Sequence, residues 1–145
     1  TMAKWTKNTF IKKTKNNCLS HVSMIMMDLI KFSEDNADQV VWGSGDRYGT
    51  MTYKCKSIDH GFIPLFYITT QGRIKISINL LRSKVSQPEI IRDFQLKLES
   101  NFLMDFDSED YPSDIYHSLE DLFTMRSEVN RFTTTIQSVS ARLHQ

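Results

Sequence analysis

Four cations fall at alternate positions of two short β-type runs. Lys54 and Lys56 lie in TMTYKCK, and Arg73 and Lys75 in RIKISINL. Side chains spaced by two share one face of a strand, so two such pairs on neighbouring strands would form a patch that attracts phosphates. Ser77 and Asn79 continue the same parity beyond Lys75, and Thr52 precedes Lys54 on it; these would add hydrogen bonds. Lys54, Lys56, Arg73, Lys75, Ser77 and Asn79 are therefore the candidate nucleic-acid-binding residues, with DNA or RNA as the partner. Nothing in these runs resembles the exposed aromatic pair of an RNA-binding sheet, so base stacking is not expected.

Other chemistry is sparse. His21, His60, His117 and His144 have no metal-ligand spacing with one another or with Cys18 and Cys55, so no metal site is expected. No serine lies in a nucleophile-elbow pattern. Gly43-Ser44-Gly45 invites a phosphate-loop reading, but no Gly-Lys-Ser/Thr follows, and the loop leads into a strand. Asp105, Asp107 and Glu109 alternate as in a calcium loop. The glycine at the sixth position and the glutamate at the twelfth are replaced by Asp110 and Tyr116, which leaves a solvated acidic loop.

The formal net charge of +1 conceals a segmented chain. Five lysines and no acid occupy positions 1–15, and seven basic residues face the single Asp59 between Arg47 and Lys84. Eight acids and no Lys or Arg then run from Glu99 to Asp121. Two outcomes follow: the basic face meets an outside polyanion, or it docks on the acidic segment, in this chain or in a partner, as part of an assembly.

The elements that would position these groups read as one α+β domain over 1–145, with 1–16 as a basic arm or short helix anchored by Trp5. Leu19, Val22, Ile25, Met26, Leu29 and Ile30 make one helical stripe over 17–32, with Asn16 or Asn17 as its cap. An antiparallel meander of about four strands follows: 39–42, 50–56, and a hairpin over 61–80 turning at Thr70-Gln71-Gly72. The second hairpin strand alternates, with Ile74, Ile76, Ile78 and Leu80 on one face. Ser86-Gln87-Pro88-Glu89 opens a helix with a buried stripe of Ile90, Ile91, Phe94, Leu98 and Phe102. From Ser113 or Asp114 onward, Ile115, Leu122, Val129, Ile136 and Leu143 recur every seven residues. The pattern predicts a helix of about 30 residues, or two helices broken at Thr133-Thr134-Thr135. A seam that long suggests a homodimer through the C-terminal helix, with a helix folded back on its own core as the alternative. No apolar run approaches the roughly 18–20 residues of a membrane helix. With two scattered cysteines, the expected setting is cytoplasmic, with no membrane partner.

The run VVWGSGDRYGTMTYK, followed by GFIPLFYITTQGRIKISINLL, resembles a pattern in small bacterial domains similar to parts of restriction-endonuclease-like proteins. The shared features are a Trp-Gly-x-Gly turn, a Gly-Ser/Thr strand start and a Leu-Phe…Thr-x-Gly-x-Ile hairpin, covering about 39–81. An active core of that kind implies two acids and a lysine around Mg²⁺. Asp46 as the first acid, Glu34 as the helix acid and Lys54 as the lysine that helps activate the attacking water are the positions the resemblance implies. The Asp/Glu-x-Lys element is absent, because Thr52 stands two before Lys54. The favoured expectation is a non-enzymatic binding module that associates with nucleic acid through the basic sheet face. A Mg²⁺-dependent nuclease with a degenerate site, and a protein–protein assembly subunit, are the alternatives. No cofactor is expected beyond the Mg²⁺ of the nuclease reading.

Overall fold

In a computed structural model, which describes residues 4–145, two helices lead into a five-stranded antiparallel sheet in the simple order β1-β2-β3-β4-β5. The elements are α1 (Lys7–Asn17), α2 (Ser20–Asn36), β1 (Gln39–Trp42), β2 (Thr50–Ser57), β3 (Gly61–Thr69), β4 (Arg73–Ile76), α3 (Ile78–Lys84), α4 (Pro88–Asn101), β5 (Tyr116–Ser118), α5 (Leu119–Leu122) and α6 (Arg126–Leu143). The α+β class, the meander and the long C-terminal helix agree with the sequence reading. The described residues contain no helix long and apolar enough to cross a membrane.

The pairing registers sort the strand side chains into two faces. On the inner face Trp42, Met51, Ile68, Ile74 and His117 are aligned across all five strands, and Val40, Tyr53, Phe66 and Ile76 form the next row. Helices cover this face through aromatic contacts. Phe32 of α2 stacks on Tyr53 at 5.6 Å, and Phe132 of α6 meets Phe66 edge-on at 5.2 Å. Phe102 and Phe123 close around Phe132, at 6.3 Å and 5.4 Å. Burying each such ring stabilises the fold by roughly 2–3 kcal/mol, so Phe132 is a hub between sheet and helices.

The basic segment is helical from Lys7 to Asn17, the short-helix form of the expectation. Thr6 and Thr9 form a reciprocal capping box at its start. Before it, the Trp5 indole donates to the Gly45 carbonyl (2.9 Å) and lies against Gly49, where an added Cβ would come within 2.7 Å of the ring. Gly49 is thus required by close approach. Gly72 is required by conformation, since it takes φ +74 in the β3–β4 turn. The predicted helix start at Asn16 or Asn17 is displaced: α1 extends to Asn17, and α2 begins at Ser20 with no side-chain cap. Ser86 likewise caps nothing. Gln87 is the N-cap of α4, and the Ser86 hydroxyl turns to Asp59.

Two expectations fail in instructive ways. The Arg73–Leu80 strand stops at Ile76, and Ile78 to Lys84 is helical. The Asp114 carboxylate accepts from the Asn79 and Leu80 N–H groups, satisfying free donors at the α3 start. Ile78 and Leu81 are the buried pair, at helical spacing. The apolar alternation through Leu80 therefore belongs to two elements. The C-terminal segment is also divided earlier than predicted. Residues 116–118 are a strand, and the chain leaves helix at Phe123 before α6 begins at Arg126. The threonine triplet stays helical, with Thr133 and Thr135 hydroxyls donating to the carbonyls of Asn130 and Arg131. The α6 stripe of Val129, Phe132, Ile136, Val139 and Leu143 is buried within the chain itself, while Ile115, the first member of the seven-residue series, is 49% exposed.

Candidate nucleic-acid interface

The outer face of the sheet is read from the same registers. Val41, Thr52, Tyr67, Lys75 and Tyr116 form one row across all five strands. Thr50, Thr69, Arg73 and Ser118 lie to one side of it, and Gln39, Lys54 and Pro64 to the other, with Lys56 opposite Phe62 beyond. Lys54, Lys56, Arg73 and Lys75 thus share one face, as the alternation requires. Lys56 and Arg73 are exposed, while Lys54 and Lys75 are half-buried. None of the four has an acidic partner within ion-pair distance among the described residues.

The acidic segment does not neutralise this face by docking on it. It reaches the sheet as a strand, β5, whose Tyr116 and Ser118 sit opposite Lys75 and Arg73 in the backbone ladder. Four of its eight carboxylates accept hydrogen bonds from backbone N–H groups. Asp114 caps α3, Glu99 accepts from the Phe106 N–H, and Asp105 and Asp107 each accept from the N–H two residues on.

Ser77 and Asn79 leave the candidate set. Ser77 is 1% exposed and serves as the N-cap residue of α3, with its N–H donated to the Leu65 carbonyl. Asn79 lies inside α3, its amide donating to the Tyr111 carbonyl and its carbonyl accepting from Arg82. Both depart from the outer face because β4 ends before them. Thr52 keeps its place on the face but is 7% exposed, so its hydroxyl offers little to a ligand.

Aromatic residues share the outer face with the cations. The Lys75 ammonium lies 4.5 Å from the Tyr67 ring centroid and 4.8 Å from that of Tyr116, a cation held between two π faces. Lys56 stands 5.8 Å from the ring of Phe62, which is itself 47% exposed. Tyr48, from the β1–β2 loop, is exposed and lies close enough to Tyr116 to influence its ionisation. Burial, with lesser contributions from Tyr48 and Tyr67, pushes the Tyr116 phenol up to about 12. Burial, then Asp114, also raises Tyr67. These phenols stay neutral at physiological pH, so the charge of the face is set by its lysines and arginine.

Sequence parity concealed the aromatics. A β-bulge interrupts the β2–β3 register: Tyr53 pairs with Phe66 while Lys54 pairs with Pro64, leaving Leu65 as the extra residue. Strict alternation from Phe62 would have sent Phe66 outward and Tyr67 inward; the bulge reverses them. Tyr116 was masked because its segment read as helix. A proline followed by an unbroken apolar run was the available signal of the bulge.

The nuclease positions are dispersed over distinct elements. Glu34, on α2, pairs with Lys7 at 2.8 Å; Asp46 is exposed in the β1–β2 loop; Lys54 is on the outer face of β2. Among the described residues neither acid belongs to a group of three or more metal-ligating side chains. Among the described residues one such group exists, Asp38, Cys55 and His144, around a residue of the inner face. Burial, then the nearby Asp38 carboxylate, pushes the Cys55 thiol up to about 12, so without a metal it is a protonated thiol and no nucleophile.

No family model, no curated protein and no solved structure matches the chain.

Proposed function

We propose that the protein is a non-enzymatic module that binds single-stranded nucleic acid on the outer face of its sheet. The observation that carries this reading is one surface on which Lys54, Lys56, Arg73 and Lys75, none paired with an acid, are interleaved with Tyr67, Tyr116, Tyr48 and Phe62. Cations follow the phosphate backbone, and the exposed rings of Tyr48 and Phe62 offer stacking platforms to unpaired bases. A duplex hides its base faces, so aromatic side chains add affinity only for single strands.

Fluorescence anisotropy with a labelled oligonucleotide tests the proposal. Four cations contacting phosphates correspond to a log–log salt slope of about −3 for single strands. Binding is expected to be tighter for single strands than for duplex, and lost in the Lys54→Glu/Lys75→Glu double variant. No binding of DNA or RNA at low salt, or binding that survives both reversals, overturns it.

A further inference from the structure

Three side chains of different chemistry converge at the end of the sheet remote from the β3–β4 turn. Asp38 lies in the α2–β1 connection, Cys55 on the inner face of β2, and His144 at the C-cap of α6. One potential ligand atom from each lies within 4.8 Å of the other two. His144 Nε2 and Asp38 Oδ2 are hydrogen-bonded at 2.6 Å. We propose that Asp38, Cys55 and His144 form a binding site for a zinc-class divalent transition metal ion.

The donor set argues for that class. One thiolate, one imidazole and one carboxylate match the preferences of Zn²⁺ and Co²⁺, whereas Mg²⁺ and Ca²⁺ require several oxygens. Zinc bonds of about 2.0–2.3 Å place tetrahedral ligand atoms roughly 3.3–3.8 Å apart. Three atoms already within 4.8 Å need only side-chain adjustments to reach that spacing, with the Asp38–His144 hydrogen bond giving way to two metal bonds. The thiol proton is released to solvent as the sulfur–metal bond forms.

The backbone fixes all three residues before any ion arrives. The Asp38 N–H donates to the Lys54 carbonyl, and its Oδ2 accepts from the Lys56 N–H at 2.7 Å, so Asp38 is held on either side of Cys55 in the β1–β2 ladder. The Ser140 carbonyl lies 3.9 Å from the Cys55 sulfur and accepts the His144 N–H at 3.0 Å, linking the other two ligands. Such outer contacts hold ligands in a binding geometry. Beside them, the Ser140 hydroxyl is buried, close enough to Cys55 and Tyr53 to influence their ionisation. The side chains of Asp38 and His144 remain 31% and 46% exposed, which opens a route for the ion and a fourth position for water. Local motif spacing could not reveal the group, because its members come from the first, middle and last parts of the chain.

Titration of the full chain with Co²⁺ tests the site, since a bound thiolate gives a sulfur-to-cobalt charge-transfer band. The band is expected in the wild type and in Cys18→Ser, which removes the other cysteine. It is expected to be absent in Cys55→Ser, and His144→Ala should weaken Co²⁺ binding at least about tenfold. His144 is a surface residue at a helix end, so this variant reports on coordination even if Cys55→Ser folds poorly. Zn²⁺ should displace Co²⁺ and raise the melting temperature of the wild type but not of His144→Ala. No charge-transfer band, a band that persists in Cys55→Ser, or unchanged affinity in His144→Ala each overturns the proposal.

Discussion

The Lys75 ammonium stands 4.5 Å from the centroid of the Tyr67 ring, on the same outer row of the sheet. With Tyr116 on its other side, the lysine is oriented by two rings instead of by an acid. Its charge is thereby positioned without an ion-pair partner among the described residues. Replacing Lys75 with Gln should cost the fold at most about 1–2 kcal/mol from the lost cation–π contacts. It should also flatten the salt dependence of oligonucleotide binding by about 0.7 in slope. Urea denaturation and anisotropy across a salt series read the two effects separately.

Phe62 is predicted to matter to a ligand more than to the fold. It is 47% exposed at the open end of β3, opposite Lys56. Phe62→Ala should weaken single-strand binding by about 1–3 kcal/mol if a base stacks there. Its effect on unfolding should be small. A variant that binds as tightly as the wild type removes Phe62 from the interface.

Phe132 is the contrasting case. It is wholly buried and meets Phe66, Phe102 and Phe123. Phe132→Ala should destabilise the protein by about 3–5 kcal/mol, because the surrounding rings cannot all collapse into the space. Chemical denaturation would measure it; a loss below about 1 kcal/mol would contradict the packing described.

Gly49→Ala probes the N-terminal anchor. The added methyl would overlap the Trp5 ring at 2.7 Å, so the indole must move away and give up its bond to Gly45. The expected cost is about 1–3 kcal/mol. Tryptophan emission should shift to the red as Trp5 becomes wetter, and an unshifted spectrum would show that the anchor tolerates the methyl.

His117 gives the fold a pH dependence of known sign. It lies on the inner face of β5, stacked 5.8 Å from Tyr111, with Nε2 3.1 Å from the Tyr111 hydroxyl. Burial lowers its pKa, with Asp121 opposing. An unfolded histidine takes up its proton near pH 6.5, so below that pH the unfolded chain binds more protons than the folded one. Its contribution to stability is complete above about pH 6.5 and is lost as pH falls through the folded value. Urea denaturation at about pH 7.5 and about pH 5.5 should show a smaller difference for His117→Gln than for the wild type. Equal differences would remove His117 as the cause.

Sequence periodicity by itself determined most of the local order. The stripe of α2, the alternation of β2, the glycine turn before β4 and the apolar face of α6 are all legible, because period and turn chemistry act over a few residues. It also placed Lys54, Lys56, Arg73 and Lys75 on one face. The tertiary structure decided what lay beyond that range. A single extra residue at Leu65 exchanged Phe66 and Tyr67 between faces, and Asp114, 35 residues away from Asn79, ended β4 by capping α3. Residues 116–118 became a strand only because β4 offered them an unpaired edge. Long-range hydrogen bonds of this kind outweigh local preference. The same reason hid the union of Asp38, Cys55 and His144: their proximity is a product of the β1–β2 ladder and the end of α6, and no spacing along the chain encodes it.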